Sequence, residues 1–65
     1  MTINVKNRDT GKLVYCGDTI VGIYNEPWIF LAMSSPMTVW VRDPITGAVV
    51  DFDPTTMVID VDIVG

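Results

Sequence analysis

Four aspartates near the end of the chain are the residues best suited to chemistry: Asp51, Asp53, Asp60 and Asp62. Within each pair the spacing is two residues, which places both carboxylates on one face of a β-strand. If residues 54–57 form a four-residue hairpin loop, Asp51 faces Asp60 and the four carboxylates share one acidic surface. That surface could bind calcium through its oxygens, contact a basic partner, or stay in water and discourage edge aggregation. We favour water exposure and expect no metal site, because no EF-hand-type loop is present.

Catalysis has little support among the other residues. The chain has no histidine, the side chain that most often performs acid–base catalysis. The single cysteine, Cys16, is predicted to pack in the core opposite Ile3, where no histidine could activate it. Ser34 and Ser35 precede Pro36 and indicate a turn, and no glycine-rich phosphate loop is present. We therefore expect no catalytic residue, no cofactor and no enzyme activity.

The composition excludes several other classes. Eight acidic and four basic residues give a formal net charge of −4, which does not provide the basic footprint of nucleic-acid binding. One cysteine and no histidine exclude a disulfide framework and the usual zinc sites. No apolar run approaches the roughly 20 residues that span a bilayer, and no signal-peptide pattern begins the chain. We expect a cytoplasmic or virion-associated protein, without direct nucleic-acid or membrane binding.

Charge is distributed unevenly along the chain. Residues 1–12 carry three basic side chains and one acidic one, a net charge of +2. Residues 13–65 carry one basic and seven acidic side chains, a net charge of −6. These charges either are solvated on loops and strand faces or provide complementary packing between copies or with a partner.

The spacing of β-formers and turn residues predicts a single small all-β domain over residues 1–65. Runs rich in Val, Ile, Thr and aromatic residues are cut by Gly, Pro, Asn and Asp clusters. We expect a barrel or sandwich of five to seven short antiparallel strands. The predicted strands lie near residues 2–6, 12–16, 19–24, 28–33, 37–42, 48–52 and 57–63.

The segment 26–34 has two interpretations. Asn25 could cap a short helix with Pro27 in its first turn. Alternatively, the continuous apolar run from Trp28 to Met33 is a buried strand, and periodicity cannot separate the two. We favour the strand.

Two similar hairpins, over residues 2–16 and 38–52, organise the predicted domain. Their loops, Asn7–Gly11 and Asp43–Gly47, share an [Asn/Asp]-x-x-Thr-Gly pattern. Such a loop needs a positive φ at its last residue, which glycine adopts without strain, and the first side chain can close the turn. This geometry sets the strand register, in which apolar residues face each other on the core side: Val5 with Val14, Ile3 with Cys16, Val41 with Val50, and Val39 with Phe52.

The opposite face of the hairpins carries apolar and aromatic residues that a chain of this size has little room to bury. They either cover a second small core or form a contact patch. Tyr, Trp and Arg are enriched at binding hot spots. The predicted partner-binding residues are Leu13, Tyr15, Trp40, Arg42 and Val49.

These features favour a non-enzymatic protein-binding module, either a homo-oligomer or a small structural or accessory subunit of a larger assembly. A chain of 65 residues without a disulfide or metal is marginal in stability, which makes a partner expected on physical grounds. Its size is also typical of accessory proteins of virus or phage particles. The alternative function is an acidic inhibitor that blocks a host protein, for example by mimicking nucleic acid.

Overall fold

The computed structural model describes residues 2–65, which contain no α-helix and therefore none that could span a membrane. They form two antiparallel sheets that do not close into one barrel, which confirms the all-β class. The strands are β1 (Thr2–Asn7), β2 (Thr19–Val21), β3 (Pro27–Ser35), β4 (Thr38–Arg42), β5 (Val49–Phe52) and β6 (Ile59–Val64). One sheet pairs β1 with β6, and the other has the order β2-β3-β4-β5.

The apolar run after Pro27 is a strand and not a helix, as favoured from the sequence. Pro27 occupies the first position of β3, where a missing backbone N–H is tolerated. The register with β4 shifts twice along β3, first between Phe30 and Ala32. Such bulges bend a strand and increase its twist.

The hairpin of β4 and β5 has the predicted register. Val41 lies opposite Val50, and Val39 lies opposite Phe52. Both valines of β4 are fully buried, because the alternation of the strand directs them to the core. The prediction for the second hairpin is therefore confirmed.

The two predicted loops have the same hydrogen bonds. In each, the side-chain oxygen of Asn7 or Asp43 accepts bonds from the backbone N–H groups two and three residues ahead, at 2.8 and 3.2 Å. The N–H groups of Gly11 and Gly47 donate to the carbonyls of Asn7 and Asp43. Both glycines have positive φ, 72° and 78°, so the predicted left-handed positions are confirmed.

The first hairpin keeps its predicted register only as far as Val14. Lys6 and Leu13 form an isolated antiparallel β-bridge, and the N–H of Val14 donates to the carbonyl of Val5 at 2.8 Å. Residues 12–16 form no strand beyond this isolated bridge. The predicted second strand is therefore wrong.

A tight turn from Tyr15 to Asp18 is the reason. The N–H of Asp18 donates to the carbonyl of Tyr15 at 2.9 Å, and Gly17 takes a φ of 97° at the turn position that favours glycine. The chain leaves β1 here, so Cys16 does not pair with Ile3 and is exposed. The predicted burial of Cys16 in the core is wrong.

The strand β2 is shorter than the predicted 19–24, because the chain turns at Gly22. Its N–H donates to the carbonyl of Glu26, and the N–H of Asn25 donates back to the carbonyl of Gly22, both at 2.9 Å. Asn25 has a φ of 63°, a left-handed value that asparagine tolerates better than most residues.

The strand β6 pairs with β1 and not with β5, so residues 54–57 do not form the predicted hairpin loop. Asp60 consequently lies opposite Lys6 of β1, whereas Asp51 lies opposite Trp40 in the hairpin of β4 and β5. The predicted pairing of Asp51 with Asp60 is wrong.

A short 3₁₀ helix over Pro54–Thr56 redirects the chain between β5 and β6. Asp53 caps it, because its side-chain oxygen accepts bonds from the N–H of Thr55 at 2.9 Å and from the hydroxyl of Thr55 at 2.8 Å. The following residue, Met57, then bridges Gly22 beside β2. This passage carries the chain away from β5 and connects the two sheets.

The core is small and draws on both sheets and on the connecting segment. Trp28 packs edge-on against Phe52 at its border, with ring centroids 5.1 Å apart. Among residues 2–65 the core cluster contains seven buried side chains: Val5, Ile20, Phe30, Val39, Val41, Met57 and Ile59.

Replacing Gly47 by Val should lower the free energy of unfolding by about 1 kcal/mol or more, because a β-branched residue is strained at positive φ. No neighbouring atom lies within 4 Å of the position that a Cβ would occupy, so the cost is conformational. Gly47→Asn is the matched control and should cost less, since asparagine tolerates this region. Urea unfolding measures both variants, and equal stability of Gly47→Val and wild type would contradict the loop geometry.

The exposed position of Cys16 predicts a thiol that reacts in the folded protein. A thiol reagent such as dithionitrobenzoate should titrate one equivalent without denaturant. Cys16→Ser should change the free energy of unfolding by less than about 0.5 kcal/mol, as surface substitutions do. A thiol that reacts only after unfolding would show that Cys16 is buried after all.

Candidate functional site

A groove of about 500 Å³ lies between the two sheets, and we call it the inter-sheet groove. No charged side chain lines it, and its walls come from β1, from the segment after the first loop and from β3. The lining residues are Thr2, Ile3, Asn4, Val5, Leu13, Val14, Tyr15, Phe30, Ala32 and Met33. A cavity of this volume falls within the range of ligand-binding sites.

The Tyr15–Asp18 turn opens the groove. The N–H of Tyr15 donates to the carboxylate of Asp18 at 2.8 Å, which fixes the turn. The N–H of Gly17 then donates to the carbonyl of Phe30, and the N–H of Phe30 donates to the carbonyl of Asp18, at 2.8 and 2.9 Å. The chain therefore crosses from β1 to β3 at this point and leaves the space beyond it unfilled.

Two of the predicted partner-binding residues, Leu13 and Tyr15, lie on the rim of this groove. Leu13 is 43% exposed and Tyr15 is 64% exposed. Their position results from the early end of the first hairpin and not from the strand that the sequence predicted. They nevertheless place an aliphatic and an aromatic side chain beside an uncharged cavity.

The other three predicted residues, Trp40, Arg42 and Val49, lie on the outer face of the four-stranded sheet. Arg42 is directly opposite Val49, and Trp40 is directly opposite Asp51. Opposed residues of an antiparallel pair share a face, so these side chains form one row. Trp40 is 36% exposed.

Ala32 connects the groove to this outer face. It lines the groove and lies directly opposite Trp40 on the neighbouring strand. The two groups of predicted residues are therefore on either side of one exposed alanine. Sequence reasoning missed Ala32 and Met33, since it assigned the whole apolar run to the interior. The apolar run extends beyond its neighbouring strand, because β2 pairs only with residues 27–29. The length of that pairing cannot be read from the sequence of the run itself.

The four aspartates of the predicted acidic surface are divided among three elements. Asp51 lies on β5, and Asp53 caps the 3₁₀ helix. Asp60 and Asp62 lie on β6, where they face Lys6 and Asn4 of β1. Residues 2–65 contain no cluster of three or more ligating side chains suited to a metal ion.

A smaller groove of about 260 Å³ brings two of these carboxylates together. Asp53 and Asp60 line it with Arg8, Met37 and two prolines. The guanidinium of Arg8 donates to the carboxylate of Asp60 at 3.1 Å and to the carbonyl of Ile59 at 2.8 Å. Asp60 therefore already has an ion-pair partner within the chain.

Comparison of the chain with protein-family models, with curated proteins and with solved structures gives no match.

The capping bonds predict an acid-dependent contribution of Asp53 to stability. Hydrogen bonds from the backbone N–H and the hydroxyl of Thr55 lower the pKa of Asp53 below its ordinary value of 3.8. Because its pKa is lowered, Asp53 stabilises the fold at pH values above its ordinary pKa of 3.8. This contribution is lost as the pH falls through the folded-state pKa.

Asp53→Asn retains the capping oxygen but cannot titrate, so it isolates this effect. The difference in unfolding free energy between wild type and Asp53→Asn should shrink below pH 4, because the charged form is then lost. Denaturant unfolding across the acid range measures it. A difference that is independent of pH would contradict the role of the carboxylate as a charged cap.

Proposed function

We propose that the protein is a non-enzymatic protein-binding module that works as a small subunit of a larger assembly or as an oligomer. The observation that supports this most is the amount of apolar surface left in water. Among residues 2–65 ten large hydrophobic side chains are exposed, against seven apolar residues in the core. Four of these ten, Leu13, Tyr15, Trp40 and Val49, belong to the predicted partner-binding residues, and exposed apolar surface gathered in one patch is typical of interaction sites.

The contact surface that we propose runs from the rim of the inter-sheet groove across Ala32 to the outer face. Tyr15, Trp40 and Arg42 belong to the residue types that dominate binding energy. No second layer of residues 2–65 covers the row of Trp40 and Arg42, which are both exposed. An incomplete barrel, with its gap at the groove, is the finer architecture that fits this proposal.

Further predictions from the sequence accompany this proposal. The lack of histidine supports a function without catalysis. We also propose a role on a virus or phage particle and a cytoplasmic or virion-associated location. Both proposals are based on chain size. The acidic-inhibitor alternative has weaker support, because Asp60 is paired with Arg8 and Asp53 with its own helix terminus.

Trp40→Ala tests the proposed surface. If Trp40 anchors a partner, its truncation should weaken binding by roughly 2 kcal/mol or more. Asp62→Ala, on β6 and outside the proposed surface, should change binding much less. Light scattering at two protein concentrations detects self-association, and chemical cross-linking of the tagged chain in its source cells detects another partner.

Thermal melts of the two variants separate binding from folding. Trp40→Ala should lose some stability as an isolated chain, because its side chain is only 36% exposed, but it should still melt cooperatively, because Trp40 is outside the core cluster. A wild-type chain that stays monomeric at high concentration and forms no cross-link that Trp40→Ala removes would contradict the proposal.

A further inference from the structure

One wall of the inter-sheet groove is an unpaired strand edge on β1. The bonds of Val5 and Asn7 to residues 12–14 show which main-chain groups of β1 point away from β6. Because these groups alternate along an antiparallel strand, the N–H and the carbonyl of Ile3 point the same way. The pairing ends at Val14, and no backbone group within residues 2–65 bonds to Ile3 on that side.

The facing wall is an unpaired edge of β3. Pairing with β2 ends where Thr19 lies opposite Ile29, and the last bonds on this edge join Phe30 to Gly17 and Asp18. Beyond Phe30, the described part of the chain has no strand on this side of β3. Ala32 and Met33 from this stretch line the groove.

The chemistry of the lining limits what can enter. None of its residues is charged, so a buried charge on the occupant would lose its hydration without a partner. Val5, Val14 and Phe30 provide apolar contact, while Ile3 and β3 provide unpaired main-chain donors and acceptors. An α-helix would leave these main-chain groups unpaired, because its own backbone bonds are internal. An extended chain pairs them.

We propose that the inter-sheet groove binds an extended, uncharged segment of a partner protein, which adds as a strand between the edges of β1 and β3. This inference rests on the proposed protein-binding function and names the kind of segment bound. Main-chain hydrogen bonds supply the register, and the pockets of the groove select apolar side chains at alternate positions. The strands of this chain with a free outer edge, β5 and β6, carry Asp51, Asp60 and Asp62, which fit the uncharged groove poorly.

A peptide library displayed on phage, selected on the immobilised 65-residue chain, supplies the probe. The selected peptides should be uncharged, with apolar residues at every second position. A synthetic copy labelled with a fluorophore then gives the affinity. Methylation of its backbone nitrogens, one at a time, should weaken binding at least about tenfold at alternate positions and little at the positions between.

Variants of the protein locate the binding. Ala32→Lys places a charge at the groove and should weaken the peptide at least about tenfold. Ala48→Lys makes the same change at an exposed alanine directly after the second loop and should have little effect. Ile3→Pro removes the N–H that faces the groove but no bond to β6, and Ile3→Val is its control; both are compared only if their melting temperatures match. The methylated peptides test the same bonds without any change in the protein.

Several results would overturn the inference. They are the failure to select any peptide, selected peptides that are charged or helical, binding that is insensitive to methylation or to Ala32→Lys, and occupation of the groove by a second copy. If any of these occurs while Trp40→Ala still removes a partner contact, only strand binding in the groove is wrong. If the contact that depends on Trp40 is also missing, the proposed function fails with it.

Discussion

The turn from Tyr15 to Asp18 determines how the first hairpin ends and how the chain meets β3. Gly17 adopts a left-handed φ there, and its N–H bonds to Phe30 of β3. This bond fixes where the chain leaves the first sheet and joins the second. The exposure of Cys16, the short reach of the first hairpin and the groove behind it all result from this turn. A strand that continued to residue 16 would have filled the groove and paired the edge of β1.

Local features of the fold could be predicted because their causes are local. The loop from Asp43 to Gly47 contains its own hydrogen-bond acceptor, its own positive φ and its own register, so the second hairpin follows from a few residues. The same pattern at Asn7 fixes the first loop. It also fixes the two residue pairs that follow, Lys6 with Leu13 and Val5 with Val14. Alternation of apolar residues then identifies Val39 and Val41 as core.

Long-range pairing could not be predicted in the same way. The partner of β6 depends on the direction in which the 3₁₀ helix sends the chain, and the capping role of Asp53 is one of several roles open to an aspartate before proline. Several other strands rich in β-forming residues offer β6 an edge, so the sequence pattern does not select β1. The predicted acidic surface failed as a four-residue cluster for this reason, although Asp53 and Asp60 still share the smaller groove.

The prediction of the contact residues is less affected by these errors than the prediction of the fold. Whether the first hairpin is long or short, Leu13 and Tyr15 remain outside the core, since the seven core positions come mostly from other elements. The groove, in contrast, exists only because the hairpin ends early, so sequence reasoning had no means of finding it. It joins the apolar rim to the outer row through Ala32 and unites the two halves of the proposed surface.

Amide hydrogen exchange in β1 tests whether the edge of this strand that faces the groove is unpaired, because neighbouring residues of one strand report on its two edges. Asn4 lies opposite Asp62, and its main-chain groups face β6, whereas those of Ile3 face the groove. In the free protein the amide of Ile3 should exchange much faster than that of Asn4, and a bound strand should slow it. Protection of Ile3 equal to that of Asn4 in the free protein would show that the edge is already paired and would contradict the account.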